Sequence, residues 1–349
     1  MKAFDREAQM PHCGRVTQDE IVVITNPASG HNRKTLEAVN RRFSAFPGLL
    51  HHVTRSPAEA EALVQRLRQD SPRVLVINGG DGTAARLFGM VLRHWPEQER
   101  PYLMVLPGGT ANMTAGDIGI SASHAKAVRQ FCEWLEAGGP LHQAPLPRYV
   151  LKVTAPPEDE AHYGMFLGAG VIVRGTDYAQ ESVHSRGLVG ELSMGLTLAR
   201  ILWGLLRGDP RFDASVRLSF RMDNATTGWR EQCGRVERMD QQALVAAIST
   251  LRRLFLGIRP FWAPGRGGLG MTVIRVGASR FLLTFVSIIR GRPNRHADPA
   301  NGYESFRSDK LNFWLDGRIN LDGELISASR EHGPVTVTTE GPLHFLQLR

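Results

Sequence analysis

The run Val74-Leu75-Val76-Ile77 passes through Asn78 into Gly79-Gly80-Asp81-Gly82-Thr83, and this stretch decides the fold. Four consecutive aliphatic residues closed by a glycine pair read as a strand buried on both faces, as in a parallel sheet. A helical pattern over residues 84–93 follows, so the unit is strand, glycine loop, helix. Upstream lie Ile21-Val22-Val23-Ile24 and a weaker run over 50–54, and downstream a further run over 102–106. Helical windows over 34–43 and 57–69 separate them, the second opening with Ser56 as cap and Pro57 at its first position. Alternation at this spacing predicts a layered α/β domain on a mostly parallel sheet.

After a helical stretch over 122–137, Gly138-Gly139-Pro140 breaks the pattern, with Pro145 and Pro147 close behind. A boundary is expected there, dividing the chain into 17–144 and 145–349. Beyond it, short alternating runs at 150–153, 216–220, 243–248, 271–276, 311–315 and 335–339 predict a largely antiparallel β domain with one or two inserted helices.

A length of 349 residues suits two domains, and 42% hydrophobic with 22% charged content excludes disorder and collagen-like repetition. The 42 basic and 34 acidic side chains leave +8, which favours an anionic partner. Cys13, Cys132 and Cys233 lie far apart, so neither a disulfide framework nor a zinc site is expected, and a cytoplasmic location fits. The first residues carry Asp5 and Glu7 without an apolar core of signal-peptide length. The histidines show no HExxH spacing, and His51-His52 reads as structural.

Three strands end in loops of unusual composition: Asn26-Pro27-Ala28-Ser29-Gly30, then Gly79 to Thr83, then Pro107-Gly108-Gly109-Thr110-Ala111-Asn112. All three should emerge at the carboxyl edge of one parallel sheet, where ligands of such folds bind. Glycines let backbone N–H groups approach an anion, and a following helix N-terminus adds favourable partial charge. Any one loop alone also reads as a tight turn; together they point to a phosphate site. Neither GxGxxG after the first strand nor a GxxxxGK P-loop is present.

In order and spacing these loops resemble the catalytic domain of diacylglycerol kinases and sphingosine kinases, and Leu321-Asp322-Gly323-Glu324 looks like the Asp-Gly-Glu motif of bacterial lipid kinases. The resemblance implies a Rossmann-like three-layer α/β domain followed by a β-sandwich, with ATP in the cleft and Mg²⁺ beside it. By position, Asn26, Pro27, Ala28, Ser29, Gly30 and Thr54 would contact nucleotide. Gly79, Gly80, Gly82 and Gly109 would cradle phosphates, Thr83 and Thr110 would donate hydroxyls, and Asn112 matches the family asparagine. Asp81 would sit near nucleotide and metal, and Glu324 would be the general base for the acceptor hydroxyl. Without the family, Asp322-Gly323 is simply a two-residue hairpin turn and Glu324 an exposed strand residue.

The pattern departs at four places. Met113 stands where family members carry Asp, Arg86 where a Glu is common, Val171-Ile172 where Phe-Asp is common, and Gly267-Gly268 where some members hold a structural Mg²⁺. Arg86 adds positive potential, which favours an anionic head group. The expected activity is transfer of the ATP γ-phosphoryl group to a lipid hydroxyl, diacylglycerol or a related lipid. The alternatives are an NAD kinase-like kinase and a nucleotide- and lipid-binding regulatory protein that has lost catalysis.

The expected partners are a lipid substrate and a reversible, peripheral contact with a membrane surface, with a homodimer left open. Residues 188–206 place Leu188, Leu192, Ala199, Leu202 and Leu206 at helical spacing, which reads either as a core helix or as a wall for an acyl chain. The Arg-rich stretch from Arg290 to His296 suits anionic lipid. Nucleic acid is disfavoured, because the basic residues are not interleaved with aromatics.

Overall fold

The computed structural model describes residues 14–348 apart from 142–143, 159, 178–214, 230–232 and 266–267; within 178–214 only Arg200, Gly204, Arg207 and Asp209 are described. The stripe at 188–206 and Gly267 therefore lie outside the described residues, save for Arg200 and Gly204.

The first domain is built on β1 (Ile21–Thr25), β2 (Leu50–Val53), β3 (Val74–Gly79) and β4 (Tyr102–Pro107), all parallel and ordered β2-β1-β3-β4. Every residue of β1 and β3 is buried, as continuous aliphatic runs in a sheet covered on both faces require. Helices α1 (Asn32–Phe43) and α5 (His124–Glu136) pack on one face through Phe43, Val39 and Phe131; α2 (Pro57–Asp70) and α3 (Asp81–His94) cover the other through Leu63, Val64, Leu87 and Phe88. Ser56 caps α2 by accepting a hydrogen bond from the Glu59 N–H at 3.1 Å, as its position before Pro57 predicts. A short helix, α4 (Met113–Ile118), follows the third loop and was not expected from the sequence.

The second domain contains β5 (Leu146–Thr154), β6 (Ala161–Gly164), β7 (Phe166–Gly170), β8 (Val216–Thr227), β9 (Cys233–Ser249), β10 (Leu269–Arg275), β11 (Tyr303–Ser308), β12 (Lys310–Trp314), β13 (Gly317–Leu321), β14 (Glu324–Ala328) and β15 (Val335–Phe345). Their pairings are antiparallel, and the order runs β14-β13-β7-β9-β10-β11-β8-β12-β15. Leu151, Val153, Phe220, Phe306, Phe313, Ile319 and Val337 fill one core between these strands. The expected β-rich second domain is therefore present, and its inserted helices include a helical stretch over 171–177 and α6 (Phe281–Ile289).

The end of the chain ties the two domains together. β15 pairs with β5 and β12 along most of its length, then runs parallel to β4 at Phe345, and the Leu346 N–H donates to Leu103 O at 2.8 Å. Phe345 packs edge-on against Phe88 of α3. One sheet network thus spans both domains and fixes the Asp322-Gly323 turn relative to the β3 loop.

Candidate active site

Strand order places the site. From β1 the chain crosses to β2 on one side and then returns to β3 on the other, so the loops after β1 and β3 diverge at a switch point of the sheet. Their side chains hold the loops together. Asn26 Nδ2 donates to Thr83 Oγ1 at 2.8 Å, Ser29 Oγ lies 3.4 Å from the same oxygen, and the Gly80 N–H donates to Ser29 Oγ at 3.2 Å. Asn26 Oδ1 also accepts the Ala28 N–H at 2.9 Å, which turns the loop sharply at Pro27.

The third loop closes on the second without space for a side chain. A Cβ on Gly80 would lie 3.1 Å from Gly109 Cα, and one on Gly109 would overlap Gly80 Cα. Asn112, with φ of 50°, accepts the Gly109 N–H at 2.8 Å and returns its own Nδ2 to Gly109 O at 3.0 Å. Its side chain is therefore committed to shaping the loop. The His31 N–H donates to Gly108 O at 2.9 Å, and His31 Nδ1 lies 2.6 Å from Gly109 O, so Nδ1 carries the proton. Thr110 and Gly30 are half-buried at the rim, whereas Thr54 is only 7% exposed and pairs through its N–H with Thr25 O. Thr54 stands next to the first loop without being presented at its surface.

Asp81 is not a loop residue here: it begins α3, whose first turn includes Gly82 and Thr83. Its two carboxylate oxygens accept the Met113 N–H at 3.2 Å and the Thr114 N–H at 2.8 Å, so Asp81 supplies the anionic cap of α4 from across the cleft. Burial raises its carboxyl above the usual range, and these N–H groups oppose the rise. Met113, which replaces the expected Asp, turns its side chain into the core and contributes only its backbone.

The second domain delivers its own carboxylates. Asp322 and Gly323 form the two-residue turn between β13 and β14, both with positive φ, as Asp-Gly predicts. Turn geometry is not the whole role of Asp322. The residue is 7% exposed, and its oxygens accept the Met165 N–H at 2.6 Å and the Phe166 N–H at 3.2 Å. Burial and then the charge of Asp81 push its carboxyl well above the usual range. The Asp322 carbonyl lies 3.2 Å from where a Gly82 Cβ would be, so this turn rests on the first turn of α3. Glu324 follows, half-exposed, with its Oε2 3.4 Å from Arg86 Nη2 of α3.

A divalent cation fits this donor set. Asp81 and Asp322 are enclosed carboxylates close enough for the charge of one to act on the other, and hard oxygen donors suit Mg²⁺. Among the described residues no group of three or more His, Cys, Asp or Glu side chains gathers there, so the cation would take its remaining ligands from phosphate oxygens and water. Asp81 and Asp322 are the residues that would hold it.

Sequence reasoning missed a polar layer beneath the loops. Asn32 Nδ2 donates to Asn26 O at 2.8 Å and Asn78 O at 2.9 Å, Asn78 Nδ2 donates to Thr25 Oγ1 at 3.2 Å, and His124 Nε2 donates to Asn78 Oδ1 at 3.0 Å. Burial, then the neighbouring His31, lowers His124 to about 4. The only sequence signal is a polar residue, Asn78, ending an otherwise aliphatic strand. Also missed is the anchor of α4: Asp117 lies 3.6 Å from Arg148 of β5 and 3.8 Å from Arg253, and it accepts the Arg252 N–H at 3.2 Å.

Comparison with known proteins agrees with this geometry. Residues 20–136 match the model of the diacylglycerol kinase catalytic domain. A diacylglycerol kinase from Bacillus anthracis strain Sterne shares the fold at a TM-score of 0.56 and 16% identity, over 95% of this chain and 96% of that one. Two further structures from the same strain, assigned as diacylglycerol kinases, each give 0.58 at 16% and 18% identity, over 95% of this chain and 97% of theirs. No curated protein matches the sequence. The resemblance read from the three loops therefore stands: residues 20–136 match the diacylglycerol kinase catalytic domain, which supports a kinase-type phosphotransferase, and the fold is shared with these proteins over 95% of the chain.

Proposed function

We propose that this protein transfers the γ-phosphoryl group of ATP to a lipid hydroxyl, diacylglycerol or a related lipid, at the junction of its two domains. The observation that carries the proposal is the seating of the Asp322-Gly323 turn on the first turn of α3, which sets Glu324 against Arg86 one turn along the helix that opens with Asp81 and Gly82. Phosphoryl transfer asks mainly for positioning and charge stabilisation. The three loops and the N-terminal turn of α3, with Gly82 and Thr83, form the cradle for the phosphates; the Gly80 and Gly109 N–H groups, which donate to Ser29 and Asn112, hold its shape, and Thr83 and Ser29 keep the loops in register. Glu324 takes the proton from the acceptor hydroxyl as its oxygen bonds to the γ-phosphorus and the bond to the bridging β–γ oxygen breaks, releasing ADP. Arg86 holds Glu324 in place and adds positive charge at the acceptor side. Mg²⁺, when bound by Asp81 and Asp322, offsets negative charge on the phosphates.

A second reading, binding of nucleotide and lipid without turnover, is favoured by the same ion pair, because Glu324 is already engaged by Arg86. Among the described residues no helix is long and apolar enough to cross a membrane. The test is transfer of labelled γ-phosphate from ATP into a total lipid extract, with and without chelation of Mg²⁺. A labelled lipid that disappears on chelation supports the kinase; ATP binding with no labelled lipid supports the second reading; labelled NAD in a parallel reaction overturns the lipid assignment.

A further inference from the structure

Helix α6 is an anomaly of burial. Its nine residues, Phe281-Leu282-Leu283-Thr284-Phe285-Val286-Ser287-Ile288-Ile289, carry no charge, and a helix apolar all round is normally enclosed. Here only Thr284 and Ile288 are fully buried. Phe281, Phe285 and Ile288 pack inward against Ile274 and Tyr303. The opposite side leaves Leu283 63% and Leu282 45% exposed. Leu256 joins this surface from a neighbouring turn, which is held to the end of α6 by the Arg259 N–H donating to Ile289 O at 2.9 Å.

Charge is segregated around the same surface. Between Asp240 and Asp298 the sequence contains nine arginines and no Asp or Glu. That excess accounts for the whole net charge of +8, since the other 33 basic and 34 acidic side chains nearly cancel. Five of the nine, Arg259, Arg280, Arg290, Arg292 and Arg295, are exposed around α6, and among the described residues none of them forms an ion pair. Arg280 and Arg290 are the two caps of the helix.

We propose that α6 and its arginine collar dock the protein on an anionic lipid surface, with Leu282 and Leu283 entering the interface and the arginines meeting the head groups. Exposed leucines inside a cationic ring match a bilayer, which offers both hydrocarbon and negative charge. A nucleic acid offers no use for the leucines, and a second copy of the chain would set like charges against each other. The segment linking α6 to the site is short: Leu254, Phe255 and Ile258 pack in the same core as Met113, Ala115 and Ile118 of α4. The surface therefore adjoins the cleft. Its purpose rests on the lipid-kinase reading, but its test reads binding alone.

The experiment is co-sedimentation of the full chain with vesicles of phosphatidylcholine and of phosphatidylcholine doped with phosphatidylglycerol. Wild type should bind the anionic vesicles at least about tenfold more tightly, a preference that salt reduces. Arg290→Ser with Arg292→Ser should remove most of the preference, and Leu282→Asp with Leu283→Asp should abolish binding, with ATP affinity and circular dichroism unchanged in both. Vesicle binding without lipid phosphorylation would leave the docking surface standing and sink the kinase reading. Equal binding by the variants, a wild-type dimer broken by Leu283→Asp, or DNA binding in place of vesicle binding would overturn the proposal.

Discussion

Replacing Gly109 by Ala tests the contact on which the phosphate site depends. The added methyl group would overlap Gly80 Cα, and it would also come within 3.1 Å of Asn112 Oδ1. The main obstacle is backbone and cannot swing aside, so the second and third loops must separate. Overpacking of this kind costs about 1–3 kcal/mol. Separating the loops breaks the shape of the proposed phosphate cradle, so ATP affinity should fall at least about tenfold, equivalent to about 1.4 kcal/mol. Urea unfolding gives the first quantity and titration with a fluorescent ATP analogue the second. Gly116→Ala is the control, because a Cβ there meets nothing within 4 Å and the residue lies in α4. It should stabilise by about 0.5–1 kcal/mol and leave ATP affinity alone. A Gly109→Ala protein with wild-type stability and wild-type ATP affinity would refute the account of how the loops converge.

Two further outcomes follow from the geometry. Arg86→Ala should change unfolding free energy by less than about 1 kcal/mol, because the Arg86 and Glu324 side chains are 51% and 40% exposed; its effect should be a higher KM for acceptors with an anionic head group than for neutral ones. Equal KM changes for both acceptor types would remove Arg86 from substrate choice. His124 is buried neutral, its folded value lowered from 6.5 to about 4, so the unfolded chain binds more protons between those limits and stability is lost as pH falls from 6.5 towards 4. The loss from this residue is on the order of 3 kcal/mol, and unfolding of His124→Gln measured at pH 5 and pH 7 should show a shallower dependence than wild type. An identical slope in the two proteins would show that His124 is not the residue titrating.

How much of this was readable in the sequence depends on the range of the interaction. The parallel strands, the Ser56 cap and the Asp-Gly turn were legible because each is written in neighbouring residues: aliphatic runs, a proline, a turn dipeptide. The glycine loops were legible as a set for the same reason. The cap of α4 was not, because its acceptor, Asp81, is supplied from another helix 33 residues away. Asp322 passed for a turn residue since its partners, the Met165 and Phe166 N–H groups, lie on another strand.

Strand β11 was missed for a different reason. Its sequence, Tyr-Glu-Ser-Phe-Arg-Ser, looks polar, yet Glu304 is 1% exposed because Arg238 at 2.8 Å and Gln241 at 3.1 Å pair with its carboxylate, while Ser305 and Ser308 are buried with partners of their own. Hydrophobic periodicity does not register strands whose buried positions are satisfied polar groups. The short β13 and β14 were legible together with their turn, since Ile319-Asn320-Leu321 and Leu325-Ile326 flank Asp322-Gly323. The return of β15 to β4 leaves no local signature, since Phe345 and Leu346 meet a strand from the far end of the chain.

The central claim is that the junction of the two domains is a phosphoryl-transfer site with Glu324 as its base, and Glu324→Gln tests it most directly. The substitution keeps the side chain's size, and the Glu324 carboxylate is paired with Arg86 of α3. Turnover of a labelled lipid by wild type and by Glu324→Gln should be measured alongside ATP affinity for each. The account predicts a fall in kcat of about 10²–10⁴-fold with ATP affinity nearly unchanged. Full turnover in Glu324→Gln would contradict it.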